Sequence, residues 1–372
     1  MTARLLTKPL GSLYLCVSEP VVRASRSTHG PDGGARSTSH GGDGFAVVEE
    51  RRPTVLYLAG SGRSGSTLLE RMLGEIHGFV NVGELIDLFR RVHSGDELCG
   101  CGERFSECTF WCAVGERAFG GWSQGLIAEM ADLQATVARQ RFIPRHLAPR
   151  QGASFSAAVQ SYADRYSQLY QVIAEVAGAE IVVDASKWPA QAMALAGGSI
   201  DLRVIHVVRD VRGVAWSMSK RDLVRPQATQ GLEVMFSRGM VTTAAEWTLC
   251  QAEVDALRLK GVPVSVMTYE GMIQDARSQV RRVLHELDLC VSDQALSHLG
   301  ERAVLLGPSH GLSGNPSRFA GGITPLRKDE QWRAQLPRHR QIMLGMFGLP
   351  QRFRRQAESA ECKRGERGCD VG

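Results

Sequence analysis

Apolar residues fall along the chain in short uninterrupted runs: TVLYLAG at 54–60, FVNV at 79–82, EIVVDAS at 180–186, LRVIHVV at 202–208 and VPVSVMTY at 262–269. Runs of this length without polar alternation predict strands buried on both faces. Between them the period turns helical. STLLERMLGEIH follows the first run directly, and SFSAAVQSYADRYSQLYQVIAEVAG, inside the long gap 113–179, places its apolar residues at helical spacing. Buried strands alternating with helices predict a parallel α/β sheet with helices on both faces, and 113–179 reads as a helical insertion or cap. Ligands in such sheets bind beyond the carboxyl ends of the strands, so the residues that follow each run are the candidates for chemistry.

The pattern fades at both ends. Residues 1–50 and 354–372 mix Gly, Ser, Arg and His or charged residues without a sustained period, so both read as disordered tails, and the first could equally reflect a misassigned start codon. They flank one domain at 51–353, in which 95–179 holds a cysteine segment and the helical insertion. With 372 residues, 43% hydrophobic and 22% charged, the chain can bury a sizeable core. No uncharged apolar stretch is long enough to span a bilayer, and no signal-peptide cleavage pattern stands out. A net charge of +5 over this length argues against nucleic-acid binding.

Directly after the first run stands Gly60-Ser61-Gly62-Arg63-Ser64-Gly65-Ser66-Thr67 and then a helix. A glycine-rich strand-to-helix turn offers backbone N–H groups and a positive helix end to an anion. Against the pattern GxxxxGK[ST], Gly60, Gly65 and Thr67 fit, but Ser66 stands where a lysine is required. A phosphoryl-transferring site would lack its cation there, and the nearest substitute is Arg63 inside the loop. After the strand at 202–208 comes Arg209, with Ser217 eight residues on. A turn and the first turns of a helix can bring that guanidinium and hydroxyl onto one phosphate.

The lysine-free GRSGSTLL together with VVRDVRGVAWSMS resembles the sulfotransferases that use 3′-phosphoadenosine 5′-phosphosulfate (PAPS). The strings CGCG, VDASKWP, NPSRF and DEQW are most similar to bacterial members, and the resemblance runs from about Thr54 to Phe353. It implies a three-layer α/β sandwich of the P-loop nucleotide-kinase-like kind and in-line transfer of a sulfuryl group to an acceptor hydroxyl on a small molecule, sugar or lipid. Ser61 to Thr67 would hold the 5′-phosphosulfate, and Arg209 with Ser217 the 3′-phosphate. Glu84, just beyond the second strand, would be the base. Lys187 at the end of the third strand, shared with Arg63, would stabilise the departing oxygen, with Asp184 and Ser186 orienting it; a pairing of Lys187 with Asp184 is the alternative. Tyr269, before Glu270, would contact adenine. Arg318, with Arg327 second, would close a late basic loop over the 3′-phosphate. The family's aromatic position after the phosphate loop is Leu68 or Leu69 here. His310 is the reserve base.

A sulfuryl group carries less charge than a γ-phosphoryl group, so backbone N–H groups with one or two cations suffice, and no metal is expected in the reaction. The competing readings are a P-loop kinase or NTPase and a nucleotide-binding protein without turnover. A bacterial cytoplasm follows from the absent anchor and the cytosolic donor; a homodimer is left open. Nine cysteines, an odd number, argue against a full disulfide framework. Cys99, Cys101, Cys108 and Cys112 are compatible with reduced thiols packing a lid, with a disulfide, or with zinc, the CxC spacing being unusual for zinc.

Overall fold

The computed structural model describes residues 52–89, 93–221, 224–225 and 233–349; both expected tails lie outside these. Five parallel strands form the central sheet: β1 (Thr54–Gly60), β2 (Phe79–Asn81), β3 (Ile181–Lys187), β4 (Asp201–Val208) and β5 (Val264–Thr268), in the order β2-β3-β1-β4-β5. All five match the apolar runs to within two residues.

Side chains of β1 alternate between two cores. Val55, Tyr57 and Ala59 face one cluster and Leu56 and Leu58 the other, all fully buried, which is why the run shows no polar alternation. One face is covered by α1 (Ser66–Gly74), whose Leu69, Met72 and Leu73 meet Leu56 and Leu58. On the other face lies the helical stretch of the insertion, dominated by α2 (Thr109–Phe119) and α3 (Ala153–Ala177). Tyr162, Tyr166 and Tyr170 of α3, spaced one turn apart, reach the sheet, and the Tyr170 hydroxyl donates to the buried Asp184 carboxylate at 2.6 Å. These helices therefore make up a layer of the sandwich. Past β4, α4 (Val211–Ser219) opens on an Asp210 side chain that accepts from the Arg212 N–H, and α5 (Met240–Leu259) packs against it. A short antiparallel pair, β6 (Ala303–Leu306) with β7 (Gly322–Pro325), was not foreseen; the loop between its strands returns to the sheet edge, where Leu312 bridges Gly83. No helix among the described residues is long and apolar enough to cross a membrane.

Candidate active site

The loop Gly60–Thr67 lies where β1 gives way to α1. Gly65 adopts φ +94, and a Cβ there would stand 2.7 Å from Cδ2 of Tyr269, so only glycine lets the loop pack on that ring. Arg63 also has positive φ (67), a strained state for a non-glycine residue. Burial lowers the pKa of its guanidinium, and the charge of Glu84 partly restores it. Ser64, unlike its loop neighbours, is fully buried and does not line the cavity, and its hydroxyl has no partner among the described residues.

Lys187 owes its aim to an irregularity. Tyr57 pairs with Asp184 but Ala59 with Lys187, so β3 carries one extra residue opposite β1, and Lys187 ends the strand at φ 70. Its ammonium forms an ion pair with the Glu84 carboxylate, each side chain being about one-seventh exposed (13% and 14%). Burial raises the pKa of Glu84 and Lys187 pulls it back. Lys187 thus meets Glu84 and not Asp184. Asp184 instead accepts from the Ser186 amide at 2.8 Å and from its hydroxyl, and Ser186 Oγ accepts from the amide of Ile86 at 2.9 Å. The pair expected to orient Lys187 fastens the turn that carries Glu84. Burial lifts Asp184 to about 6.

Glu84 is held from two further sides. Its amide donates to the Leu312 carbonyl at 2.8 Å. Gly83 has φ +77, and a Cβ there would lie 2.1 Å from Leu312 O, so the two backbones touch. The buried Glu70 of α1 accepts from the Gly83 amide at 2.7 Å and from Asn81 at 3.1 Å, and burial raises it to about 7.

Arg209 ends β4. Its guanidinium donates to the Arg63 carbonyl at 3.1 Å and the Asp329 carbonyl at 2.8 Å, pairs with the Asp329 carboxylate at 3.1 Å, and lies over the Tyr269 ring with Cζ 4.5 Å from the centroid. The Tyr269 hydroxyl is already engaged, accepting from the Asp329 amide and donating to the Arg327 carbonyl.

A cavity of about 760 Å³ is lined by the loop residues other than Ser64 and by Glu84, Lys187, Arg209, Ser217 and Tyr269. Arg318, Arg327 and His310, all expected at the site, are not among the cavity's lining residues. Arg318 is 2% exposed and spends its guanidinium on the carbonyls of Gly311 and Leu98, so it ties the late loop to the cysteine segment instead of reaching the Arg209 side. Arg327 is exposed and contributes only its carbonyl at Tyr269. His310 sits against cysteine sulfurs and stacks on Phe110 at 4.6 Å, outside the cavity lining. Of the two leucines, Leu68 faces the cavity while Leu69 is core.

Sequence reasoning missed the residues that α5 brings to the cavity. Thr243, Glu246, Cys250 and Glu253 of α5 line the cavity, and burial raises Glu253 to about 7. Their spacing of three, four and three along one helix was the available signal.

The profile of the sulfotransferase family matches residues 56–293. Among solved structures, the sulfotransferase domain of the Synechococcus PCC 7002 olefin synthase is similar at 20% identity over 79% of this chain and 93% of that one, with TM-score 0.41. Sulfotransferase STF1 of Mycobacterium tuberculosis H37Rv is similar at 15% identity, covering 66% of this chain and 71% of that one, with TM-score 0.36. A retinol dehydratase complexed with androsterone and the inactive cofactor PAP is similar at 13% identity over 80% of each chain, with TM-score 0.33. No match was found among curated protein sequences.

Proposed function

The chain belongs to the sulfotransferase family, and on that premise we propose that it moves a sulfuryl group from PAPS to an acceptor hydroxyl. The observation that carries the proposal is that a lysine-free glycine loop, Arg209 with Ser217, and the Lys187–Glu84 pair line one cavity. The loop residues that line the cavity, Ser61–Arg63 and Gly65–Thr67, suit the phosphosulfate end. Arg209 and Ser217 suit a 3′-phosphate, which would take the place of the Asp329 carboxylate on Arg209. Tyr269, its hydroxyl engaged by the late loop, offers adenine the uncovered part of its ring rather than a hydrogen bond.

PAPS supplies an activated sulfuryl group. The chain's part is to bind, orient and move one proton. Glu84 accepts the proton of the acceptor hydroxyl as the new oxygen–sulfur bond forms. The bond to the bridging oxygen breaks, and that oxygen's charge is met by Lys187 and Arg63. Burial raises the Glu84 pKa and the charge of Lys187 pulls it back; the raised basicity favours proton acceptance. The acceptor binds in the same cavity, which α5 also lines. A bacterial cytoplasm remains the setting that suits this donor.

Calorimetric binding of 3′-phosphoadenosine 5′-phosphate against 5′-AMP and ADP, without metal and in Arg209→Ala, tests the donor. A preference for the 3′-phosphorylated nucleotide that collapses in the variant is expected. Equal or tighter binding of ADP would overturn the proposal in favour of a phosphoryl-transferring site.

A further inference from the structure

Four potential metal ligands that the proposed reaction does not use converge beside the cysteine segment. Cys99 and Cys101 lie on a tight turn in which the Gly102 amide donates to the Cys99 carbonyl at 2.9 Å and the Cys99 amide to the Glu103 carbonyl at 2.8 Å. Cys108 caps the amino end of α2. His310 arrives from the loop between β6 and β7. Sulfur separations are 3.6 Å for Cys99–Cys108 and 3.7 Å for Cys101–Cys108, and His310 Nδ1 lies 3.6 Å from the Cys99 sulfur and 3.3 Å from that of Cys108. All four ligand atoms lie within 4.8 Å of one another.

Zinc bonded at about 2.3 Å to thiolate and about 2.0 Å to imidazole sets its tetrahedral ligand atoms roughly 3.5–3.8 Å apart. Three of the four separations fall in that range and the fourth, 3.3 Å, lies just below it. A disulfide would join only two of these groups and leave a third thiol and an imidazole in a pocket where Cys99 and Cys108 are almost wholly buried. Cys112, the fourth cysteine of the segment, directs its sulfur to the Ser106 carbonyl at 3.2 Å, so its place in the set falls to His310. The surroundings are built to hold that histidine: Phe110 stacks on its ring, and the Trp111 indole donates to its carbonyl at 2.9 Å.

We infer that Cys99, Cys101, Cys108 and His310 form a structural zinc site. None of the four lines the substrate cavity, so the metal fastens rather than reacts. It pins the 307–315 loop to the cysteine segment, and that loop carries Leu312, which brackets Gly83 and Glu84, and Ser313, whose hydroxyl donates to Asp87 at 2.7 Å. The zinc is thereby a clamp on the turn that presents Glu84.

The test is the metal content of the full chain, purified with a thiol reductant and without chelator. One zinc per chain is expected, retained in Cys112→Ser and lost in Cys108→Ser and His310→Ala. Cobalt exchange into the unaltered protein removes dependence on the variants' folding: a thiolate-to-cobalt charge-transfer band with intense tetrahedral visible absorption is expected. Retention of zinc in Cys108→Ser, its loss in Cys112→Ser, or a wild-type protein that holds neither zinc nor tetrahedral cobalt would overturn the assignment.

Discussion

Arg209 and Tyr269 form a cation–π pair, the guanidinium carbon 4.5 Å from the ring centroid, at the end of two adjacent strands. The stack fixes the plane of the guanidinium, and Asp329 occupies one of its edges at 3.1 Å. A lysine could keep the charge but neither the stack nor the fork. Arg209→Lys is therefore expected to weaken binding of 3′-phosphoadenosine 5′-phosphate by about 10–100-fold while changing 5′-AMP binding little. Asp329→Asn, which removes the competing carboxylate, is expected to tighten the same ligand by about fivefold. Calorimetry on the three proteins reads both; unequal loss between the two nucleotides is the deciding feature.

Glu84 and Lys187 form an ion pair on the cavity lining. Glu84→Gln is expected to lower kcat by about 10²–10⁴-fold with the donor KM nearly unchanged, because the amide keeps the shape and loses the base. Lys187→Met removes the cation that offsets burial at Glu84. The carboxyl pKa then climbs, so the acid limb of the kcat/KM profile should move to higher pH. A limb that stays put would separate Lys187 from the ionisation of Glu84.

The five strands could be read from sequence because strands buried on both faces must be apolar throughout, and β1 matches its run residue for residue. Arg209 and the glycine loop were legible for a related reason: strand ends and glycines mark where backbone must bend toward a ligand. Other features depended on distant backbone. The Lys187–Glu84 pair needs the extra residue in β3 opposite Tyr57–Ala59, which no local pattern announces. Arg318 in a Gly/Pro-rich loop has the same sequence context whether it faces a phosphate or, as found, buries itself against carbonyls. The four cysteines could be read as one ligand set, but only the fold turns Cys112 to the Ser106 carbonyl and brings His310 across 202 residues to Cys108.

Gly65 offers a steric test of the loop. Its Cβ position lies 2.7 Å from Tyr269 Cδ2 at φ +94, so Gly65→Ala must both strain the backbone and push the ring. A loss of roughly 1–3 kcal/mol in stability is expected, together with at least a tenfold loss of donor binding, since the displaced ring carries Arg209 with it. Denaturant unfolding gives the first quantity and calorimetry the second. Intact donor binding would show that the loop's contact with Tyr269 is not part of its function.

Glu253, which lines the cavity from α5, ties the stability of the fold to pH. Burial raises its pKa from an ordinary 4.5 to about 7, so the folded chain holds this proton more tightly than the unfolded one. Between those two values the folded state binds the greater number of protons, and stability must fall as pH rises through the window; below it the group costs nothing, and above it the cost is constant. Glu253→Gln, which cannot ionise, should flatten that part of the melting-temperature profile and raise Tm at pH 8 by about 2 °C, with no gain at pH 4.5. The same substitution removes a negative charge from the cavity lining, where the proposed acceptor would bind. A cationic acceptor would then lose affinity and a neutral one would not, so paired melting and acceptor-competition measurements at pH 8 separate the two effects of one carboxylate.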